Sequence, residues 1–216
     1  MGSLLQTQAR GAIRISSSVA FGRRVMAPLV LEFMRMNPHL QIELNCEDRY
    51  VNLVEQGVDV AIRLGKLADS TLGAAYLGVN PWVLVASPAY IKERGRPKKP
   101  ADLSKHDALI YSSVQGDERW QLTGGDGKLA SVPVHGRLRS NNLSMLLVAA
   151  RQGFGVAALP RYVAHTSLET RAVVSLLDDW RLPQQEVHAG QHGVRVLRVT
   201  GNMLCYLQEG QDLKRV

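Results

Sequence analysis

Three consecutive hydroxyls, Ser16, Ser17 and Ser18, separate a short apolar run (Ala12, Ile13, Ile15) from a long helical pattern. A hydroxyl where a strand meets a helix has two uses. It satisfies the helix's own unbonded N–H groups, or it offers its oxygen and backbone N–H to an anion drawn by the positive end of the helix dipole. Both readings stand for these serines. Arg63 lies near the end of Val58–Gly65, otherwise an unbroken buried-strand pattern. A guanidinium there needs an anion, either in a structural ion pair or as a charge-assisted clamp on a ligand. Asp48 opens the helical pattern DRYVNLVEQG as an N-cap, and can instead take a ligand hydroxyl or amine or pair with Arg63. Ser140, Asn141 and Asn142 repeat the opening device before LSMLLVAARQG, and Ser113 follows the strand pattern DALIYS. Ser113, Ser140 and Asn141 are thus candidates for the second wall of a ligand site.

Other chemistry finds no residues to carry it. His39, His106, His135, His165, His188 and His192 show no HExxH or comparable spacing, so no metal is expected. There is no GxSxG elbow, P-loop or dinucleotide GxGxxG, since Gly153 and Gly155 precede a strand pattern and not a helix. No cofactor and no enzymatic activity are expected, because no nucleophile and base assemble. The two cysteines, Cys46 and Cys205, have no CxxC spacing and read as reduced thiols. The net charge of +7 raises the question of nucleic acid, but the basic residues are dispersed. Their one cluster, Lys92 to Lys99, contains Gly and Pro and reads as a solvated loop. No apolar run reaches the ~20 residues of a membrane span, and Met1 to Arg10 lacks the apolar core of a signal peptide, so a cytoplasmic location is expected.

The elements that position these residues read as α/β. Gly11 to Glu43 is a βαβ unit whose helix carries Val25, Met26, Leu29, Val30, Phe33 and Met34 on one face. Pro28 either opens the regular helix or interrupts one that begins near Val19. Leu40, Ile42 and Leu44 alternate as a second strand, and Val58–Gly65 is a third, buried on both faces as parallel strands are. Beyond a long strand-like stretch broken at Asn80 and Pro81, Trp120 to Arg139 reads as a hairpin around Gly124 to Gly127. Val156–Pro160 is a strand, Arg161–Glu169 a helix and Ala172–Leu177 a strand; a strand from Gln184 returns to the first half, and Val194–Leu213 is amphipathic.

In their order these segments resemble the effector-binding domain of LysR-type transcriptional regulators. The likeness covers about Gly11 to Ala189. It is carried by G-x-I-R-I-S at Gly11–Ser16, F-G-R at Phe21–Arg23 with Ala27-Pro28, F-x-x-x-N-P at Phe33–Pro38, DRYVNLVEQGVDVAIRLG at Asp48–Gly65, ASPAYI at Ala86–Ile91, PADL at Pro100–Leu103 with His106-Asp107, and AARQGFGVAALP at Ala149–Pro160. The resemblance implies two Rossmann-like subdomains of periplasmic-binding-protein type II, joined by two crossover strands. Residues 11–81 with 184–216 form the first, 82–183 the second, and 1–10 a tag or linker-helix remnant. It further implies a small-molecule effector, an organic acid, in the cleft between them, and a homodimer or tetramer. DNA is contacted only through a helix-turn-helix module for which this chain has no room, and no membrane is involved. A stand-alone solute-binding protein shares the fold and is the alternative. After Ala189 the Gly-rich GQHGVRVLRVTGNMLCYLQEGQ departs from the family pattern.

Overall fold

The structure, a computed structural model, describes residues 11–48, 57–65, 74–113 and 118–191. Strand β1 (Gly11–Ser17) is bonded along both edges. It pairs in parallel with β2 (Leu40–Cys46) over its whole length, from Gly11 opposite Leu40 to Ser17 opposite Cys46. On its other edge it pairs in parallel with β3 (Val60–Leu64), whose apolar residues Val60 to Ile62 are buried between the flanking strands while Arg63 and Leu64 are half-buried. β4 (Ala74–Asn80) and β13 (Gln185–Gln191) complete the sheet in the order β2-β1-β3-β13-β4, with β13 antiparallel to β3. The chain divides into two compact units at Val79–Asn80 and at Gln185–Glu186.

From Val19 to Met36 the backbone is helical but not uniform. A turn of α-helix, α1 (Val19–Phe21), runs into a π-helical segment (Gly22–Met26) and then into α2 (Ala27–Met36). The helix therefore takes the earlier of its two possible starts. Ala27 N–H donates to the Gly22 carbonyl, five residues back. Pro28 has no N–H for the α-register bond to Arg24, so a change of register beside it sacrifices little. The wider turn puts Phe21 and Met26, both 0% exposed and five residues apart, on one face with Val30 and Phe33. Gly22 makes this possible, because a Cβ there would overlap Cys46 Sγ.

The second unit is built on the sheet β11 (Val174–Leu176), β5 (Trp82–Ala86), β10 (Val156–Pro160), β6 (Asp107–Tyr111) and β9 (His135–Ser140), in that order. β6 is parallel to both neighbours, whereas β5 is antiparallel to β10 and β11. A second sheet, β12 (Trp180–Arg181), β7 (Arg119–Gly124) and β8 (Leu129–Pro133), sends Trp120, Leu122 and Val132 into the core shared with Leu84, Ile110 and Leu176. The hairpin is shorter than the expected Trp120 to Arg139. It ends at Pro133; Val134 N–H still donates to the Glu118 carbonyl at 2.8 Å, and the chain then leaves as β9 to pair with β6 in the larger sheet. Helices α3 (Pro88–Arg94), α4 (Leu143–Arg151) and α5 (Arg161–Glu169) complete the unit. The basic run expected as a loop is in part helical, since Lys92–Arg94 close α3; beyond it Asp102 accepts from the N–H groups of Lys98 and Lys99 at 2.9 and 3.1 Å. The helix expected after Asp48 and the segment Val194–Leu213 lie outside the described residues.

Between α3 and β6, the Tyr90 hydroxyl accepts from Asp107 N–H at 2.9 Å and meets His106 Nδ1 at 3.3 Å. His106 is buried, and this holds its pKa below the ordinary histidine value, with Arg94 acting in the same sense. The folded state thus binds the histidine proton less readily than the unfolded chain. Stability is full above the ordinary histidine pKa of about 6.5 and is lost as pH falls from there through the lowered value. Denaturant titrations across that window should show a shallower acid loss for His106→Gln than for the parent chain. Gly22→Ala should cost about 1–3 kcal/mol in the same assay, from overpacking against Cys46. Adding Cys46→Ala should recover part of that loss, and an equal loss in the double variant would refute the contact.

Candidate functional site

The strand order reverses at β1. From β1 the chain crosses through the helix to β2 on one edge and later returns to β3 on the other, so the connections leave the carboxyl ends of β1 and β3 on diverging paths. Such a reversal opens a crevice where α/β sheets hold ligands. Ser16 and Ser17 are the last residues of β1, 3% and 0% exposed. Arg63, half-buried on β3, donates from Nη2 to Ser16 Oγ at 3.2 Å and from Nη1 to the Ile62 carbonyl at 3.3 Å. The guanidinium is thereby held against the serine turn by a hydroxyl and a carbonyl. Ser17 Oγ is buried and has no hydrogen-bond partner among the described residues.

Ser18 has the extended torsions of an N-cap (φ −70°, ψ 153°), but its side chain makes no cap bond. The cap comes from Asp48, whose Oδ1 accepts from Val19 N–H at 3.0 Å. The reason is register. Ser17 lies opposite Cys46, and Glu47 N–H donates to the Ser17 carbonyl at 2.9 Å, so the chain just beyond β2 runs alongside the start of α1. A carboxylate there also complements the helix dipole. Burial pushes the Cys46 thiol pKa up, and the Asp48 charge adds to the effect, so the thiol is kept protonated. Ser16, Ser17, Ser18, Asp48 and Arg63 are therefore brought together at one end of the first unit's sheet.

The second unit contains the same reversal, with β9 and β10 on the two edges of β6. At the carboxyl end of β6, Ser112 N–H donates to the Ser140 carbonyl at 3.0 Å, and Ser113 is exposed in the turn that follows. Ser140 Oγ accepts from Asn142 N–H at 3.0 Å, and Asn142 Oδ1 caps α4 by accepting from Met145 N–H at 3.0 Å. Ser140 thus braces the turn and Asn142 does the capping, which leaves Asn141 exposed and outside the cap. Of the three polar residues expected to open this helix, Asn142 makes the cap, at the usual offset of three from Met145 N–H. Among the described residues no group of His, Cys, Asp and Glu could hold a metal ion, and no helix is long and apolar enough to cross a membrane.

Comparison with known proteins adds an independent line. The family model described as "LysR substrate binding domain" matches residues 6–196. An HTH-type transcriptional regulator of Haemophilus influenzae is 29% identical over 204 residues, 94% of this chain and 70% of that protein. The HTH-type transcriptional activator TtdR of Escherichia coli K12 is 32% identical over 177 residues, 82% of this chain but only 57% of its own length. Among solved structures, the regulatory domain of AphB from Vibrio vulnificus superposes with a TM-score of 0.75 at 26% identity, over 93% of this chain and 98% of that one. This chain spans about two thirds or less of most of the full-length regulators it matches.

Because the cap of α1 reaches across from another strand, Asp48→Ala should lower stability by about 0.5–2 kcal/mol, while Asp48→Asn keeps most of it. Urea titration of the two variants checks this, and equal losses would mean that the carboxylate acts by charge alone.

Proposed function

The chain belongs to the LysR substrate-binding domain family, and from that membership we propose that it senses a small anionic organic effector for a transcription regulator. The effector-binding set is Ser16, Ser17, Ser18, Asp48 and Arg63 from the first unit, with Ser113, Ser140 and Asn141 from the second. What supports this reading is that both polar turns lie at the two order reversals, β1 and β6, and that a guanidinium is already bonded to the serine turn of the first. Arg63 supplies the charge-assisted bond to a carboxylate, and Ser16, its present acceptor, orients it.

The work done on binding is a population shift. An effector that contacts the two units differently in two arrangements changes their balance by its differential affinity and by no more. The regulator acts in the cytoplasm as a homodimer or tetramer, and DNA contact belongs to a helix-turn-helix module, as the names of the relatives indicate for those proteins.

A thermal-shift screen over aliphatic and aromatic carboxylates tests the reading. A ligand at 100 times its Kd stabilises the chain by about 2.7 kcal/mol. At the same concentration Arg63→Ala should cut that stabilisation to about 0.4–1.4 kcal/mol by weakening the ligand ten- to a hundredfold, as expected for loss of about 1.5–3 kcal/mol from a charged hydrogen bond. An undiminished shift would take Arg63 out of the site.

A further inference from the structure

Wholly within the second unit lies a cavity of about 230 Å³ that the polar turns do not line. Its buried lining is apolar, including Leu176 and Leu182, and two half-buried indoles, Trp82 and Trp180, flank it. Arg161 and Arg181 line it with exposed side chains.

Both rings are fixed before any ligand arrives. Trp82 Nε1 donates to Gln185 Oε1 at 3.0 Å, and that oxygen also accepts from Asn80 Nδ2 at 3.0 Å. Trp180 lies against Gly124, where a Cβ would come within 3.4 Å of its ring, and its backbone N–H donates to the Leu177 carbonyl at 2.8 Å. Arg161 is placed by its backbone, whose N–H donates to the Pro81 carbonyl at 2.8 Å.

Charge decides what fits. Among the described residues neither Arg161 nor Arg181 forms an ion pair, and neither does Asp178, the one acidic side chain in the lining. Two cations against one anion leave the cavity with an excess positive charge. Inorganic phosphate would use the arginines and leave the indoles idle, whereas a neutral ring would do the reverse. A flat aromatic carboxylate uses both, and the volume, below that of a drug-sized pocket, suits a single ring.

We propose that this cavity is a second ligand site, for a one-ring aromatic carboxylate held between Trp82 and Trp180 with its charge on Arg161 and Arg181. Pro81 and Gln184 also line it, and they flank the two points at which the chain passes between the units. A ligand in this cavity therefore bears on both connections.

Trp82 and Trp180 are two of the three tryptophans in the chain, so intrinsic fluorescence reads the site directly. Titration of the whole chain with benzoate should change the emission saturably, with benzamide and inorganic phosphate at least about tenfold weaker. Arg161→Gln and Arg181→Gln should each weaken benzoate about tenfold at unchanged melting temperature, since both side chains are exposed. Arg63→Ala should leave the titration as it was. Three results overturn the proposal: no saturable benzoate binding by fluorescence or by equilibrium dialysis, binding that survives in both arginine variants, or binding lost in Arg63→Ala.

Discussion

The first unit rests on the pairing of β1 in parallel along both of its edges. Parallel neighbours force the chain to leave β1, cross over and come back at the same end, once on each side. Everything at the carboxyl end follows from that constraint. The serines are buried because their strand is central, Arg63 reaches Ser16 because β3 is the adjacent strand, and Asp48 reaches Val19 because β2 keeps register with β1 up to Cys46. A slip of one residue between β1 and β2 would carry Asp48 away from the helix start and turn Ile13 and Ile15 out of the core.

The second unit reaches a similar arrangement by other means. Where the first joins β1 to β2 with one long helix, the second inserts a hairpin sheet between β6 and β9 and pays for its exposure by driving Trp120, Leu122 and Val132 into the common core. The turn at the end of β6 is consequently braced from β9, by a backbone bond to the Ser140 carbonyl, and not by a side chain from a distant strand. The common element is the reversal of strand order, and the connecting structure is free to vary around it.

Local features were the ones legible in the residues. The buried run of β3, the cap in the Ser140 to Asn142 turn, and α5 with its bounds at Arg161 and Glu169 all announce themselves within a few positions. What escaped depends on distance or on an unusual period. The spacing of five between Phe21 and Met26 belongs to neither a helix nor a strand pattern, so the π turn left no mark until the packing of Gly22 on Cys46 was visible. The cap at Val19 comes from a residue 29 positions away and is fixed by strand register alone. The hairpin was overextended because alternation continues past Pro133, whereas the chain departs there to pair with β6, a distant strand that no local pattern reveals. The cavity joins Trp82 to Trp180, a proximity that no local pattern encodes.

Asp48 gives the serine turn a property that its hydroxyls do not. The start of α1 already holds a carboxylate, supplied by the protein itself. Any acid that takes the Val19 N–H must evict this resident surrogate and return its charge to water, so occupancy at that point is an exchange of one anion for another. Ubiquitous small anions gain little from such a trade, whereas a molecule that also engages Ser16 and Arg63 recovers the difference. The turn thus sets a threshold of chemical identity, below which abundance alone does not displace the resident carboxylate.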